Sequence, residues 1–240
     1  MGYFIFKGRN SKEFGPVERT KMLMRNKQTL NITNIPFGTP VMSWGGHESG
    51  SMQFTIGIKD INNTDVVDDL LGWLTGEGPL ITSIDTGKYM WAYCNAEVIP
   101  NPISSRLATV AVTFVTEPYR YAINNPEEKL TMAHNPQSDN PNLLECKIEN
   151  TGNTPCEPTF RIIGSGKIQL WLNHLEMTIQ NVSGGIIVDI PTLRVKDLSG
   201  NVILNRTIGD PTQYLLNPGE NLFEYIGATE AYLTKNTRWL

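Results

Sequence analysis

From Met52 to Lys59 the chain alternates without a break, Met52, Phe54, Ile56 and Ile58 against Gln53, Thr55, Gly57 and Lys59. Residues two apart on an extended strand share a face, so the first set is predicted to line a core and the second to meet solvent or a partner. A second run sets Ala108, Val110, Val112 and Phe114 against Thr109, Ala111 and Thr113. Segments of this kind bury their apolar faces only by packing sheet on sheet or sheet on helix. The punctuation agrees, because 21 glycines and 15 prolines in 240 residues favour short strands and turns over long helices. A mainly β protein follows.

Further strands are expected at Tyr3–Lys7, Leu80–Ile84 and Tyr89–Val98, with Asp85-Thr86-Gly87 as the turn between the last two. One helix interrupts them. Val66, Val67, Leu70, Leu71 and Leu74 recur at helical spacing, Asn63 or Thr64 can cap them, and Gly76, Gly78 and Pro79 stop them. Asp65, Asp68 and Asp69 suit the positive end of the helix dipole, which accounts for them without a metal. The stretch Phe37–Ser51 reads as a long Gly/Ser/Pro-rich loop carrying Met42, Trp44 and His47, a composition that suits a functional loop or one folded back on its own domain.

Asn124–Asn142 is polar, contains Pro126, Pro136 and Pro141, and shows no periodicity, as a linker or long surface connection would. Beyond it, short strands flank turn signals: Phe160–Ile163 and Ile168–Leu172 around Gly164-Ser165-Gly166, Leu193–Val195 and Val202–Leu204 around Leu198-Ser199-Gly200-Asn201, and Tyr214–Leu216 and Leu222–Ile226 around Asn217-Pro218-Gly219-Glu220-Asn221. Strands at this spacing without helices predict a β-sandwich or jelly roll.

Several function classes lose their footing. The formal charge is −4 with no Lys/Arg run, so sequence-specific nucleic-acid binding lacks the basic patch it needs. No stretch approaches the ~20 apolar residues of a membrane span, and the run Tyr3–Phe6 is too short for a signal-peptide core, so no membrane insertion and synthesis in a cytoplasm are expected. Without a secretory route the Asn-x-Ser/Thr triplets at Asn31, Asn62, Asn181 and Asn205 carry no glycosylation meaning. Cys94, Cys146 and Cys156 fit no metal spacing and read as free thiols. His47, His134 and His174 form no ligand pair, and Gly164-Ser165-Gly166-Lys167 lacks the spacing and following helix of a phosphate loop. No cofactor and no metal are expected. Glu145, Glu149, Asp189 and Asp210 would serve a glycosidase only if folding brought two of them to roughly 5–9 Å. A non-enzymatic protein is the expectation.

The order of features resembles the distal tail protein (Dit) family of long-tailed, non-contractile bacteriophages over essentially the whole length. In the first half the resemblance rests on Phe6-Lys7-Gly8, Ser11–Gly15, Gly72-Trp73-Leu74 with Leu80, Tyr93, Ala96, Thr113-Phe114 and Glu117-Pro118-Tyr119-Arg120-Tyr121. In the second it rests on Glu149-Asn150-Thr151-Gly152, Pro158, Ile162–Gly166, Val188-Asp189, Gly209-Asp210, Leu216–Asn221 and Arg238-Trp239. Where the family often has a Pro-Gly-Arg-Asp-Gly-like turn, this chain has Pro36-Phe37-Gly38-Thr39-Pro40.

The resemblance implies a β-sandwich-like N-terminal domain with one helix over 1–124 and an outward-facing, galectin-like or carbohydrate-binding-module-like jelly roll over 125–240. In some relatives the last residues, here 231–240, return to the first domain. It implies a hexameric ring, single or stacked in pairs, at the virion tail tip or baseplate, with a channel for DNA. Its partners would be the tail tube protein, the tail-tip hub or tail-associated lysin, the tape measure protein and, in some phages, receptor-binding proteins. A ring needs heterologous contacts and favours aromatic and Met anchors, which makes Met42, Trp44, His47 and Met52 the candidate ring-interface residues. The alternative is a carbohydrate-binding β-sandwich that attaches to the host cell wall through Trp171, Tyr214 and Trp239.

Overall fold

A computed structural model describes residues 2–19, 28–33, 41–59, 61–94, 100–104, 106–134, 138, 140–203 and 207–240. The chain divides into two compact units, Met1–Ile123 with Leu240, and Asn124–Trp239.

The first unit contains strands β1 (Phe4–Phe6), β2 (Arg9–Asn10), β3 (Val17–Arg19), β4 (Gln28–Thr33), β5 (Val41–His47), β6 (Gly50–Lys59), helix α1 (Thr64–Trp73), and strands β7 (Gly76–Thr82), β8 (Asp85–Cys94), β9 (Pro100–Pro102) and β10 (Leu107–Ala122). The main sheet runs β2-β1-β7-β8-β10-β6-β3, with β9 also beside β10, while β4 and β5 pair only with each other. The two alternating runs are neighbours: Ile56 stands opposite Val110 and Phe54 opposite Val112, and all four are buried. Asn63 caps α1 through its side chain, which accepts from the Asp65 amide at 3.2 Å.

The helix closes this core through Leu70 and Trp73. The Trp73 indole stacks on Phe4 at 5.5 Å and on Phe14 at 5.2 Å, and its N–H donates to the Phe6 carbonyl at 2.8 Å. Arg9 covers the cluster. Its guanidinium lies 4.6 Å from the Phe14 ring centre and donates to both carboxylate oxygens of Asp69 and to Glu13, each at 2.7 Å. Those bonds hold the Asp69 and Glu13 carboxyls below their usual range. Asp69 therefore has a partner that its helix-start position alone did not suggest. The Lys7-Gly8 turn joining β1 to β2 has φ of 51° and 79°, the left-handed pair that a two-residue hairpin requires.

The second unit contains β11 (Glu128–Lys129), β12 (Ala133–His134), β13 (Leu144–Asn150), β14 (Thr159–Leu172), β15 (Leu175–Val182), β16 (Gly185–Asp189), β17 (Arg194–Asp197), β18 (Thr207–Ile208) and β19 (Gly219–Thr234). Its sheet runs β12-β13-β19-β14-β15-β18, with β16 pairing both β14 and β17 and β11 pairing β19. Residues 159–163 of β14 pair with β16, while 166 and 168–172 pair with β15. One long strand thus serves two groups of partners, as strands do when they bend between packed layers.

Four sequence expectations change. Gly164-Ser165-Gly166 is not a hairpin: β14 continues through it, and the register shifts beside Gly164 instead. Glycine marks a bulge there, where a Cβ on Gly227 (φ +84°) would lie 2.3 Å from the Lys167 carbonyl oxygen. Residues 41–47, read as loop, are strand β5. Glu128–Lys129 and Ala133–His134, read as linker, add short strands to β19 and β13. The turn near residue 85 also sits earlier than expected, because β8 already begins at Asp85.

Candidate interaction surface

The alternation that fills the first core leaves the opposite face of the same sheet outside. On β8 and β10 that face carries Trp91, Tyr93 and Val115, which are 39%, 44% and 46% exposed. Val115 stands opposite Tyr93, and Pro79 of β7 stands opposite Trp91. Ile5 of β1 stands opposite Ile81 of β7 on the same side. Clustered apolar side chains on one face mark a surface that meets something, in a way that scattered single ones do not.

The pairing of β8 with β10 shifts register between Thr116 and Arg120. The extra residues bulge, and Pro118 among them has no amide hydrogen to give the ladder. Beside the bulge lies a groove of about 360 Å³ bordered by His47, Trp91, Tyr93, Val115 and Glu117. His47 meets the Tyr119 ring edge-on at 6.1 Å, and its buried Nδ1 has no hydrogen-bond partner among the described residues. Glu117 is exposed and accepts the Tyr121 hydroxyl at 3.2 Å.

The sequence-derived interface set divides here. Met42 and Trp44 stand opposite Ile32 and Leu30 in the β4–β5 ladder, but their side chains lie outside the described residues. His47 borders the groove. Met52 is 2% exposed in the first unit's own core, where the alternation of β6 puts it. Trp91, Tyr93 and Val115 are not among the sequence-derived interface residues, and Tyr93 enters the sequence analysis only through the family resemblance. The signal was there: Trp91-Ala92-Tyr93-Cys94 is apolar at both parities, the pattern of a strand covered on both faces.

In the second unit, Tyr214 is fully buried and its hydroxyl donates to the Leu170 carbonyl at 2.6 Å. It is a core residue and not a sugar platform. Trp171 is half-buried, with Glu224 of β19 opposite it and Glu145 opposite Glu224 on β13. Asp189 pairs with Lys196 at 2.6 Å, and Asp210 caps the turn at Pro211–Gln213. Glu149 is exposed on β13. No group of three or more His, Cys, Asp or Glu able to hold a metal occurs among the described residues. Among them, no helix is long and apolar enough to cross a membrane.

Burial, and then the facing Glu145, hold the Glu224 carboxyl above its usual range, with His174 opposing. A raised folded-state value favours the neutral acid, so this group's contribution is present in acid and is lost as pH rises past the ordinary carboxylate range. Glu224→Gln is therefore expected to raise the melting temperature at pH 7 by about 1–3 °C and to leave it unchanged near pH 4. Thermal melts at the two pH values check this.

No protein-family model and no curated protein matches the sequence. Solved structures do. The two-unit, mainly β fold of this chain is shared with solved phage proteins. It is found in the crystal structure of the SPP1 Dit protein, described as a paradigm of hub adsorption apparatus in phages infecting Gram-positive hosts. That structure matches with a TM-score of 0.75 at 13% identity, covering 100% of both chains. A chain of the phage P2 baseplate in its activated conformation with Ca matches with a TM-score of 0.51 at 12% identity over 97% of each chain. The same baseplate with Sr gives the same values. The shared fold extends over the full length.

Proposed function

We propose that this chain is a structural protein of a bacteriophage tail tip, a distal tail protein whose copies close into a hexameric ring. The ring joins the tail tube to the tail-tip hub and leaves a channel through which DNA passes. The observation that carries this reading is the full-length likeness to the SPP1 Dit protein. The exposed apolar face of the first unit supports it, because a ring protomer must keep a contact surface that its own core does not use. The role is non-catalytic and needs no cofactor. The tail tube protein above, and the hub or tail-associated lysin with the tape measure protein below, are the partners this role requires. Receptor-binding proteins are further partners for the second unit, and the site of action is the virion. Negative-stain imaging of the purified protein tests the reading: annular particles support it, and featureless single globules oppose it.

A second reading, sugar binding by the second unit, draws on the row formed by half-buried Trp171 with Glu224 and Glu145 across three strands, since ring faces and carboxylates suit sugar C–H and O–H groups. A cell-wall pulldown in which Trp171→Ala binds as well as the unaltered protein removes it.

A further inference from the structure

The first unit carries a second exposed apolar feature, at the far end of β10 from the groove. Ile103 and Leu107, either side of the β9–β10 turn, are 67% and 45% exposed. The described residues of the turn are tied together: the Ile103 amide donates to the Leu107 carbonyl at 2.8 Å, and the Leu107 amide donates to the Ser104 hydroxyl at 3.2 Å. Leu107 and Val115 occupy odd positions of the same strand, so they share its outer face about 27 Å apart. One protomer therefore presents an apolar knob at one place and an apolar groove at another.

The charges around the two features are opposite. Arg106 lies in the turn and Lys59 stands opposite Leu107, and both are exposed. The groove end carries exposed Glu117, exposed Glu48 next to His47, and exposed Glu77 opposite Tyr93. A partner with a basic apolar tip fits this acidic, aromatic groove, and the chain itself supplies that tip. Knob and groove are different surfaces, so a contact between them is heterologous and repeats from copy to copy until it closes or runs on.

We infer that copies of this chain associate through the Ile103–Leu107 turn of one protomer seated in the Trp91–Tyr93–Val115 groove of the next, with Arg106 and Lys59 set against Glu117 and its acidic neighbours. This rests on the ring reading and deepens it by naming the contact. The aromatic groove wall and the two aliphatic tips are the anchors, and the charges around them set direction, since a knob-to-knob meeting would oppose like charges.

Cysteine linking tests the contact. The native thiols form a quiet background: Cys94 and Cys156 are buried, and burial pushes Cys146 up to about 11. A chain carrying both Ile103→Cys and Val115→Cys, oxidised with oxidised glutathione, is expected to give a ladder of linked multimers on a non-reducing gel. Each single variant should give none, and the span along β10 forbids a link within one chain. Ile103→Asp, at a site exposed enough to leave folding alone, is expected to weaken association about tenfold with an unchanged melting temperature. Arg106→Glu should weaken it too, and Arg106→Glu with Glu117→Arg should restore it. An assembly of undiminished mass with no ladder, or linked dimers from either single variant, overturns this contact and leaves the ring reading standing. A strict monomer in every variant and in the unaltered chain overturns both.

Discussion

Trp73→Ala lowers the stability of the first unit by about 3–5 kcal/mol, the range for deleting a large buried aromatic. The size follows from what the indole does. It is the helix's main connection to the sheet, stacked on Phe4 and Phe14, and its N–H satisfies the Phe6 carbonyl beside the β1–β2 turn. Alanine leaves a cavity between α1 and the sheet, leaves that carbonyl without its donor, and removes part of the surface over which Arg9 lies. Trp73→Phe restores most of the volume but not the hydrogen bond, so it should fall between the two. Chemical denaturation followed by tryptophan-independent far-UV dichroism checks the order. The second unit's core is a separate cluster, so a transition belonging to it should be unmoved.

Asn221→Ala is expected to cost the second unit about 2–4 kcal/mol, because it leaves several buried groups without partners at once. The Asn221 side chain is 1% exposed as part of its residue. Its oxygen accepts from the Asn217 amide at 2.8 Å and from the Asn173 side chain at 2.7 Å. Its nitrogen donates to the Asn217 carbonyl at 2.8 Å and the Gly219 carbonyl at 2.9 Å. One amide thereby folds the Asn217–Asn221 turn and fastens it to the Asn173 loop. Asn221→Asp keeps the acceptor but turns the donor side into a negative charge facing carbonyl oxygens, so it should do no better than alanine at neutral pH. Melting curves of the two variants side by side decide this, and a loss within about 0.5 kcal/mol would mean that water replaces the amide at no cost.

Asn221 also shows why a pattern of modest pieces was informative in the sequence. Asn217–Asn221 and Glu149–Gly152 look like ordinary turn chemistry, yet Asn150, too, donates to Leu216 at 2.9 Å and accepts from Gly152 at 2.9 Å. These residues pin backbone to backbone across the second unit. The periodic elements were legible for a simpler reason. One buried face imposes alternation on a strand and a stripe of three-to-four-residue spacing on a helix, and β6, the first part of β10 and α1 each show their own period. What local pattern hid was long-range. A glycine triplet signals a turn when only its neighbours are considered, whereas Gly164–Gly166 lies where β14 bends between two sets of partners, a feature fixed by residues far along the chain. The Gly/Ser/Pro-rich stretch before Ser51 likewise contains β5, whose pairing with β4 is set by a strand that the reading had not identified.

The candidate surface was half legible. His47 was picked out for its loop and does border the groove, while Met52 belongs to the core by the very alternation that identified β6. Trp91 and Tyr93 lie on a strand expected from the sequence, Tyr89–Val98, whose local pattern assigns neither face to the core. Only the tertiary pairing shows that Ala92 and Cys94 face the core and that the two aromatics face out.

The most direct measurement is the mass of the purified protein in solution, by light scattering coupled to size exclusion at about 50 µM, a concentration that populates any association of useful strength. Six copies in one particle, or twice that number if rings stack, is the expected result, with the Ile103→Asp protein shifted toward one copy. A particle of a single 26.8 kDa chain at that concentration would contradict the account.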